Sequence, residues 1–198
     1  MHPITKWLQT NKIVAREGKT RWYSVLGSSN WVPSVTSILS AADKGEYFQK
    51  WLANQGSWEN ACKVRDAAAN RGTIVHEISE DLLNGEEIVL DAEADIVKRV
   101  MCLEQWYDDY QPEVIMQEIM LAFPGIRYAG RFDILARIDG KNVLIDIKTG
   151  GYYKSHDLQA TMYKVLWDTI VEHTDAGQDY MIDEMYGLYL NDKWKKKP

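Results

Sequence analysis

The chain is poor in cysteine. Cys62 and Cys102 are the only two in 198 residues, too few for a disulfide framework, and no zinc site is expected from them. Both fall in helical patterns, where a small buried apolar residue is the expected role. Long apolar runs are also missing: no segment approaches the ~20 residues that span a bilayer, and the N-terminus has no signal-peptide core. A soluble, cytoplasmic protein is the expectation. Internal repeats and low-complexity tracts are absent, so at this length, with 45% hydrophobic and 26% charged residues, one globular domain over 1–198 is expected. Positive charge is in deficit as well, with 23 Lys and Arg against 29 Asp and Glu, a net charge of −6. Acid is concentrated in 77–95 and 168–184, whereas Lys193, Lys195, Lys196 and Lys197 form a basic tail expected to be solvated and disordered. The deficit speaks against broad electrostatic binding of a phosphate backbone, unless bound cations supply the local charge.

What the chain does have is alternating apolar sequence around acids. Residues 131–138 and 142–148 are rich in Ile, Val, Leu and Phe, and Asp139-Gly140 between them is a strong two-residue hairpin signal. With that loop, paired residue numbers sum to 279, so Asp133 falls opposite Asp146. Alternation then places Asp146 and Lys148 on one face and Val143, Ile145 and Ile147 on the other. Like charges opposed in a sheet are destabilising, and more so when buried. A divalent cation would neutralise them, and a neighbouring lysine would add positive charge where a phosphate and a water could sit. The plain alternative is a surface salt bridge from Lys148 to one acid.

Strands are expected at 22–26, 114–123, 128–138, 143–148 and 185–190, with a turn at 27–30. Helices are expected at 34–42, 44–55, 58–69, 73–84, 92–110 and 158–173. The fold class is therefore α/β (α+β): a mixed central sheet flanked by helices, with a strand and helical N-terminal portion over 1–70, a core over 71–190 and the tail over 191–198. Of the eight tryptophans, Trp51, Trp58, Trp106 and Trp167 lie in amphipathic helical patterns and are expected in the core. The Gly150-Gly151-Tyr152-Tyr153-Lys154 loop is the better candidate for stacking on bases, with Tyr153 as a substrate contact; a loop pinned by half-buried tyrosines is the alternative.

These residues resemble a family. Asp133 followed by Asp146-Ile147-Lys148 is similar to the catalytic core of the PD-(D/E)XK nuclease superfamily, two acids and a lysine on a bent hairpin. Arg71-Gly72-Thr73-Ile74-Val75-His76 resembles the G-x-x-x-H motif of the RecB-like exonuclease branch, and Gln159-Ala160-Thr161-Met162-Tyr163 its Q-x-x-x-Y motif. Glu118 corresponds to a strand position that is frequently acidic in relatives. Val32-Pro33-Ser34-Val35-Thr36-Ser37-Ile38-Leu39 resembles the opening segment of small phage-type and mitochondrial genome-maintenance exonucleases, although Pro-Ser-x-Thr before an apolar pair is also an ordinary helix N-terminus.

The resemblance implies a restriction-endonuclease-like core and a metal-dependent DNA exonuclease acting from ends or on single strands in recombination, repair or replication. It implies one or two Mg²⁺ or Mn²⁺ ions held by His76, Asp133, Asp146 and the Ile147 carbonyl. Asp133, Asp146 and Lys148 would be catalytic, with Glu118, Gln159, Tyr163 and Tyr153 contacting substrate or supporting the site. Some relatives carry a four-cysteine iron–sulfur cluster; with two cysteines, none is expected here. A phage-encoded protein acting in a host cytoplasm is one setting it implies. A non-catalytic nucleic-acid- or protein-binding subunit of a recombination or replication assembly, oligomeric or not, and a site-specific endonuclease are the alternatives.

On spacing alone several roles stay open. His76 shares a helical stripe with Gly72 and Glu80, and is either a hydrogen-bonded structural histidine or a ligand oriented by Glu80. Gly72 would admit a close neighbour. Gln159 and Tyr163 share a helix face at i and i+4. Glu118 could simply pair with Arg131.

Overall fold

The computed structural model describes residues 3–18, 20–25, 29–42, 45–86, 88, 92–175, 177–191 and 194–197, the last four by backbone alone. Helix α1 (Pro3–Asn11) leads into a small antiparallel sheet of β1 (Ile13–Arg16), β2 (Trp22–Val25) and β3 (Val32–Pro33). Then come α2 (Val35–Ala41), α3 (Gly45–Asn54), α4 (Trp58–Leu83) and α5 (Ala94–Tyr110). The main sheet has five strands in the order β4 (Glu113–Ala122), β5 (Ala129–Ile138), β6 (Lys141–Lys148), β7 (Glu184–Leu190) and β8 (Trp194–Lys197). Helix α6 (Lys154–Glu172) crosses from β6 to β7, the one parallel pair; the other neighbours are antiparallel.

Local chemistry sets the main boundaries. Ser34 caps α2, its hydroxyl accepting from the Ser37 N–H at 3.0 Å, and Ser57 caps α4 by accepting from Asn60 N–H at 3.1 Å, each satisfying an orphan donor of the first turn. Asp139 and Gly140 both have positive φ, 51° and 77°, as a tight primed hairpin turn requires. The register that follows, Ile138 with Lys141 through Ile134 with Ile145, keeps the expected sum of 279.

The sheet separates two apolar layers. Val143, Ile145 and Ile147 pack with Val75 of α4 and with Ile96, Val100, Leu103 and Trp106 of α5. Leu144 packs on the other face with Leu166, Trp167 and Ile170 of α6. Strand β5 breaks this alternation near Asp133, since Phe132 belongs to the α6 layer whereas Ile134 belongs to the α4/α5 layer.

Four expectations need correction. The helices expected at 58–69 and 73–84 are one helix, α4, running through Gly72, because a single glycine costs a helix only ~1 kcal/mol. Trp58 is not core; it is 67% exposed at the first turn of that helix. The tail is not free coil: the backbone of 194–197 pairs with β7 and adds a strand, while Lys193 lies outside the described residues. Helix α1 and strands β1 and β3 were not expected. The expected turn at 27–30 and the first residue of the helix expected at 44–55 fall largely outside the described residues. Among the described residues no helix is long and apolar enough to cross a membrane.

Candidate active site

The β5–β6 ladder stops at Ile134–Ile145, one step short of the two aspartates. Beyond it Asp133 Oδ2 accepts the Ile147 backbone N–H at 2.6 Å. A carboxylate thus takes the place of a ladder carbonyl, and the hairpin opens where its acids lie. The opening leads into a cavity of about 660 Å³ lined by His76, Glu118, Asp133, Asp146, Lys148, Gln159 and Tyr163.

One side of the cavity is built by α4, β4 and β5. His76 Nδ1 lies 3.6 Å from Asp133 Oδ1 and 3.8 Å from Glu118 Oε1, and one ligand atom from each of the three residues falls within 4.8 Å of the others. Glu118 reaches this point from the middle of β4 with φ of 49°, a left-handed conformation that costs a non-glycine residue about 1–2 kcal/mol. Such a residue inside a strand re-aims its side chain as a bulge does. Glu118 also accepts from Arg131 Nε at 2.9 Å, so the plain pairing with Arg131 is present alongside the approach to His76.

The other side is built by β6 and α6. Asp146, 4% exposed, contacts the Lys148 ammonium through Oδ2 and accepts from Gln159 Nε2 through Oδ1 at 3.1 Å. Gln159 Oε1 accepts from Lys148 Nζ at 3.2 Å, and Gln159 Nε2 also donates to the Tyr163 hydroxyl at 3.2 Å. Both residues of the pair are buried, neither the exposed Gln nor the half-buried Tyr of an ordinary helix face. Gly130 is required here, because a Cβ on it would lie 2.3 Å from Tyr163 Cε1.

Electrostatics differ between the two sides. Burial disfavours the charged imidazolium of His76, but the carboxylates of Asp133, Glu118 and Asp146 outweigh it and raise its pKa to about 9. Burial raises the pKa of Asp133, with the Asp146 charge adding to it and the His76 charge opposing it. Tyr163 is held well above the ordinary phenol range by burial first and the Asp146 charge second, so it stays a phenol.

The expected residues do not all converge. Asp146 is turned toward Lys148 and Gln159 and is not part of the tight His76, Glu118, Asp133 group. Ile147 meets Asp133 through its N–H. Glu80 lines the cavity without a contact to His76, whose partners are Asp133 and Glu118. Gly72 faces Thr149 Oγ1 at an ordinary contact distance, 3.6 Å from where a Cβ would be, so packing does not demand glycine. Tyr153, 65% exposed, lies outside the cavity with its ring edge-on to His156 at 5.5 Å. Tyr152 is tied to Asp157 through its hydroxyl.

Sequence reasoning missed Arg21 and Tyr23, which line the cavity from the N-terminal sheet, and Thr36 beside Ser34. The similarity of 32–39 to an exonuclease opening segment was the available signal for Ser34 and Thr36. An isolated bridge sets Ser34 beside Ala129 at the start of β5, next to Gly130.

With this geometry stands a family match: the model of the PD-(D/E)XK nuclease superfamily covers residues 19–193. The chain belongs to the PD-(D/E)XK nuclease superfamily. No individual curated protein matches it. Members of this superfamily generally use divalent metal ions, and the donor set suits one. An imidazole and two carboxylates gathered in a cavity lined by further acids offer hard oxygen ligands and one nitrogen. Asp146 Oδ2, buried and paired with the lysine ammonium, brings a further carboxylate oxygen to the same cavity.

Proposed function

We propose that this protein is a Mg²⁺- or Mn²⁺-dependent deoxyribonuclease that hydrolyses phosphodiester bonds as an exonuclease of the RecB-like type. The observation that carries the reading is the joining of two separately built groups, His76/Glu118/Asp133 and Asp146/Lys148/Gln159/Tyr163, in one cavity at the open end of the hairpin. The helical histidine facing Asp133 and the Gln159/Tyr163 pair facing Asp146 support the exonuclease branch over a restriction endonuclease.

His76, Glu118 and Asp133, with Asp146, would hold the cation. When bound, it lowers the pKa of a water and offsets phosphate charge. Gln159 fixes both Asp146 and Lys148 by hydrogen bonds, so the ammonium is positioned before substrate arrives. Lys148 then stabilises the negative charge that grows on the phosphate oxygens as water adds to phosphorus and the P–O bond to the leaving nucleotide breaks. Tyr163, kept protonated by burial, supports Gln159 from behind. Arg21 and Arg131 on the cavity wall supply positive charge for the strand's backbone, and exposed Tyr153 offers a face to an unpaired base. DNA is the partner on this reading.

The test is digestion of 5′-labelled, 3′-labelled, circular and single-stranded DNA in Mg²⁺ and in Mn²⁺ by the parent protein, Asp146→Ala and Lys148→Ala. The expected result is mononucleotide or short products from linear substrates by the parent alone. Equal digestion by all three proteins overturns the assignment of these residues. Retained Mn²⁺ binding with no digestion by the parent leaves a binding module.

A further inference from the structure

We propose that Arg99, on α5 and outside the cavity lining, is a positioning residue for Lys148; the inference rests on the nuclease reading for what Lys148 does, but not for the clamp itself. Strands β6 and β7 run parallel in a register that sets Lys148 beside Tyr189, so the carbonyls of the next residues, Thr149 and Leu190, emerge side by side where the ladder ends. Carbonyls at such an end have lost their ladder partners and need donors. Arg99 supplies them. Its Nη1 donates to Thr149 O at 2.8 Å and to Leu190 O, and shares its two N–H groups with a third acceptor, Asn191 Oδ1, at 3.1 Å.

The guanidinium is itself held on its other edge. Nε and Nη2 donate to the two oxygens of Asp95, each at 3.2 Å, one helical turn back, a two-point grip that fixes a planar guanidinium better than a single contact would. The Arg99 side chain is only 11% exposed, whereas Asp95 is half-exposed. Asp95 Oδ2 also lies 3.4 Å from Arg71 Nε, and Arg71 is on α4, the helix that carries His76. One arginine therefore pins the backbone directly after Lys148, and its aspartate ties that point to the helix of the opposite half of the site.

The consequence is mechanical. After Thr149 the chain leaves the sheet through Gly150 and Gly151, two residues of high backbone freedom. Without Arg99, the final turn of β6 is anchored on its β7 side only by the ladder up to Lys148, and fraying from the glycines reaches the lysine. A displacement of about 1 Å at a reacting group can cost up to ~10²-fold in rate. Lysine at 99 cannot bridge two carbonyls while gripping both oxygens of a carboxylate, because it lacks the planar fork.

The experiment compares parent, Arg99→Gln, Arg99→Lys and Asp95→Asn by steady-state hydrolysis of end-labelled DNA and by amide hydrogen exchange. For Arg99→Gln the clamp predicts a kcat lower by roughly tenfold to a hundredfold with KM within about twofold, since substrate contacts are untouched. It also predicts faster exchange confined to 147–151 and 189–191, with 142–145 as protected as in the parent. Arg99→Lys should recover part of kcat, and Asp95→Asn, at a half-exposed carboxylate, should give the same pattern at smaller size if Arg99→Gln does not fold. An unchanged kcat in a folded Arg99→Gln protein, or faster exchange spread evenly over the sheet, overturns the positioning role. If the parent itself hydrolyses nothing, the nuclease reading fails, and the exchange pattern alone decides whether Arg99 clamps the end of β6.

Discussion

The two halves of the cavity solve opposite problems with the same residue types. In the β6/α6 half, Asp146, Lys148, Gln159 and Tyr163 form a closed chain in which a carboxylate, an ammonium, an amide and a phenol satisfy one another. In the α4/β4/β5 half, His76, Glu118 and Asp133 crowd together with their electrostatics unresolved: a histidine pKa pushed up to about 9, an aspartate pushed up by burial and a glutamate on strained backbone. Strain and perturbed titration concentrate where a site is built to receive something. On the proposed reading, the first half positions the Lys148 ammonium and the second half receives a cation.

Replacing Lys148 by alanine should break that division most visibly. Removing a preorganised donor from a developing charge costs roughly 10²–10³-fold in rate; single-turnover DNA digestion should show a loss of this order, while Mn²⁺ binding to the other half persists. Loss of both together would mean that the halves are one unit.

Gly130→Ala attacks the closed half through packing. The added methyl would meet the Tyr163 ring, and overpacking of this kind costs about 1–3 kcal/mol. Urea unfolding should show the loss, and Tyr163→Phe in the same background should not restore it, because the ring and not the hydroxyl is struck.

The open half should reveal itself in the pH dependence of stability without metal. His76 titrates near 6.5 when unfolded and near 9 when folded, so its protonated form stabilises the fold. That contribution is fully present below about pH 6.5 and is lost as pH rises through about 9. Thermal unfolding in EDTA should show Tm falling across this interval in the parent, and the fall should be absent from His76→Gln.

The smallest effect concerns Glu118. Glycine adopts its left-handed φ freely, a gain of about 1 kcal/mol that offsets the lost contacts with Arg131 and His76, so Glu118→Gly should leave the stability of the metal-free protein nearly unchanged. The same variant should bind Mn²⁺ more weakly. A variant that is both less stable and unchanged in metal affinity would show that Glu118 serves only as the partner of Arg131.

The residues of both halves were named from the sequence, but the backbone geometry of the open half was not legible there. Asp139-Gly140 dictates the hairpin register by local turn chemistry, and strand alternation then delivers Asp146 and Lys148 to one face; neither step needs long-range information. The position of Glu118 does, because no residue preference announces a left-handed glutamate in mid-strand, and the break in alternation at Asp133 arises from the side chain taking the Ile147 N–H. Arg21 and Arg99 come from elements distant in sequence. The continuity of α4 through Gly72 and the pairing of the lysine-rich tail with β7 were both decided by tertiary context: packing of a long helix outweighs one glycine, and an open strand edge recruits backbone whatever its side chains.

The most direct measurement is calorimetric titration of Mn²⁺ into the parent, Asp133→Asn and Lys148→Ala. Binding by the parent and by Lys148→Ala, with a loss of roughly tenfold or more for Asp133→Asn, is the predicted result. Equal binding by the parent and Asp133→Asn, or no binding by the parent, would contradict the assignment of this cavity as a metal-dependent hydrolytic site.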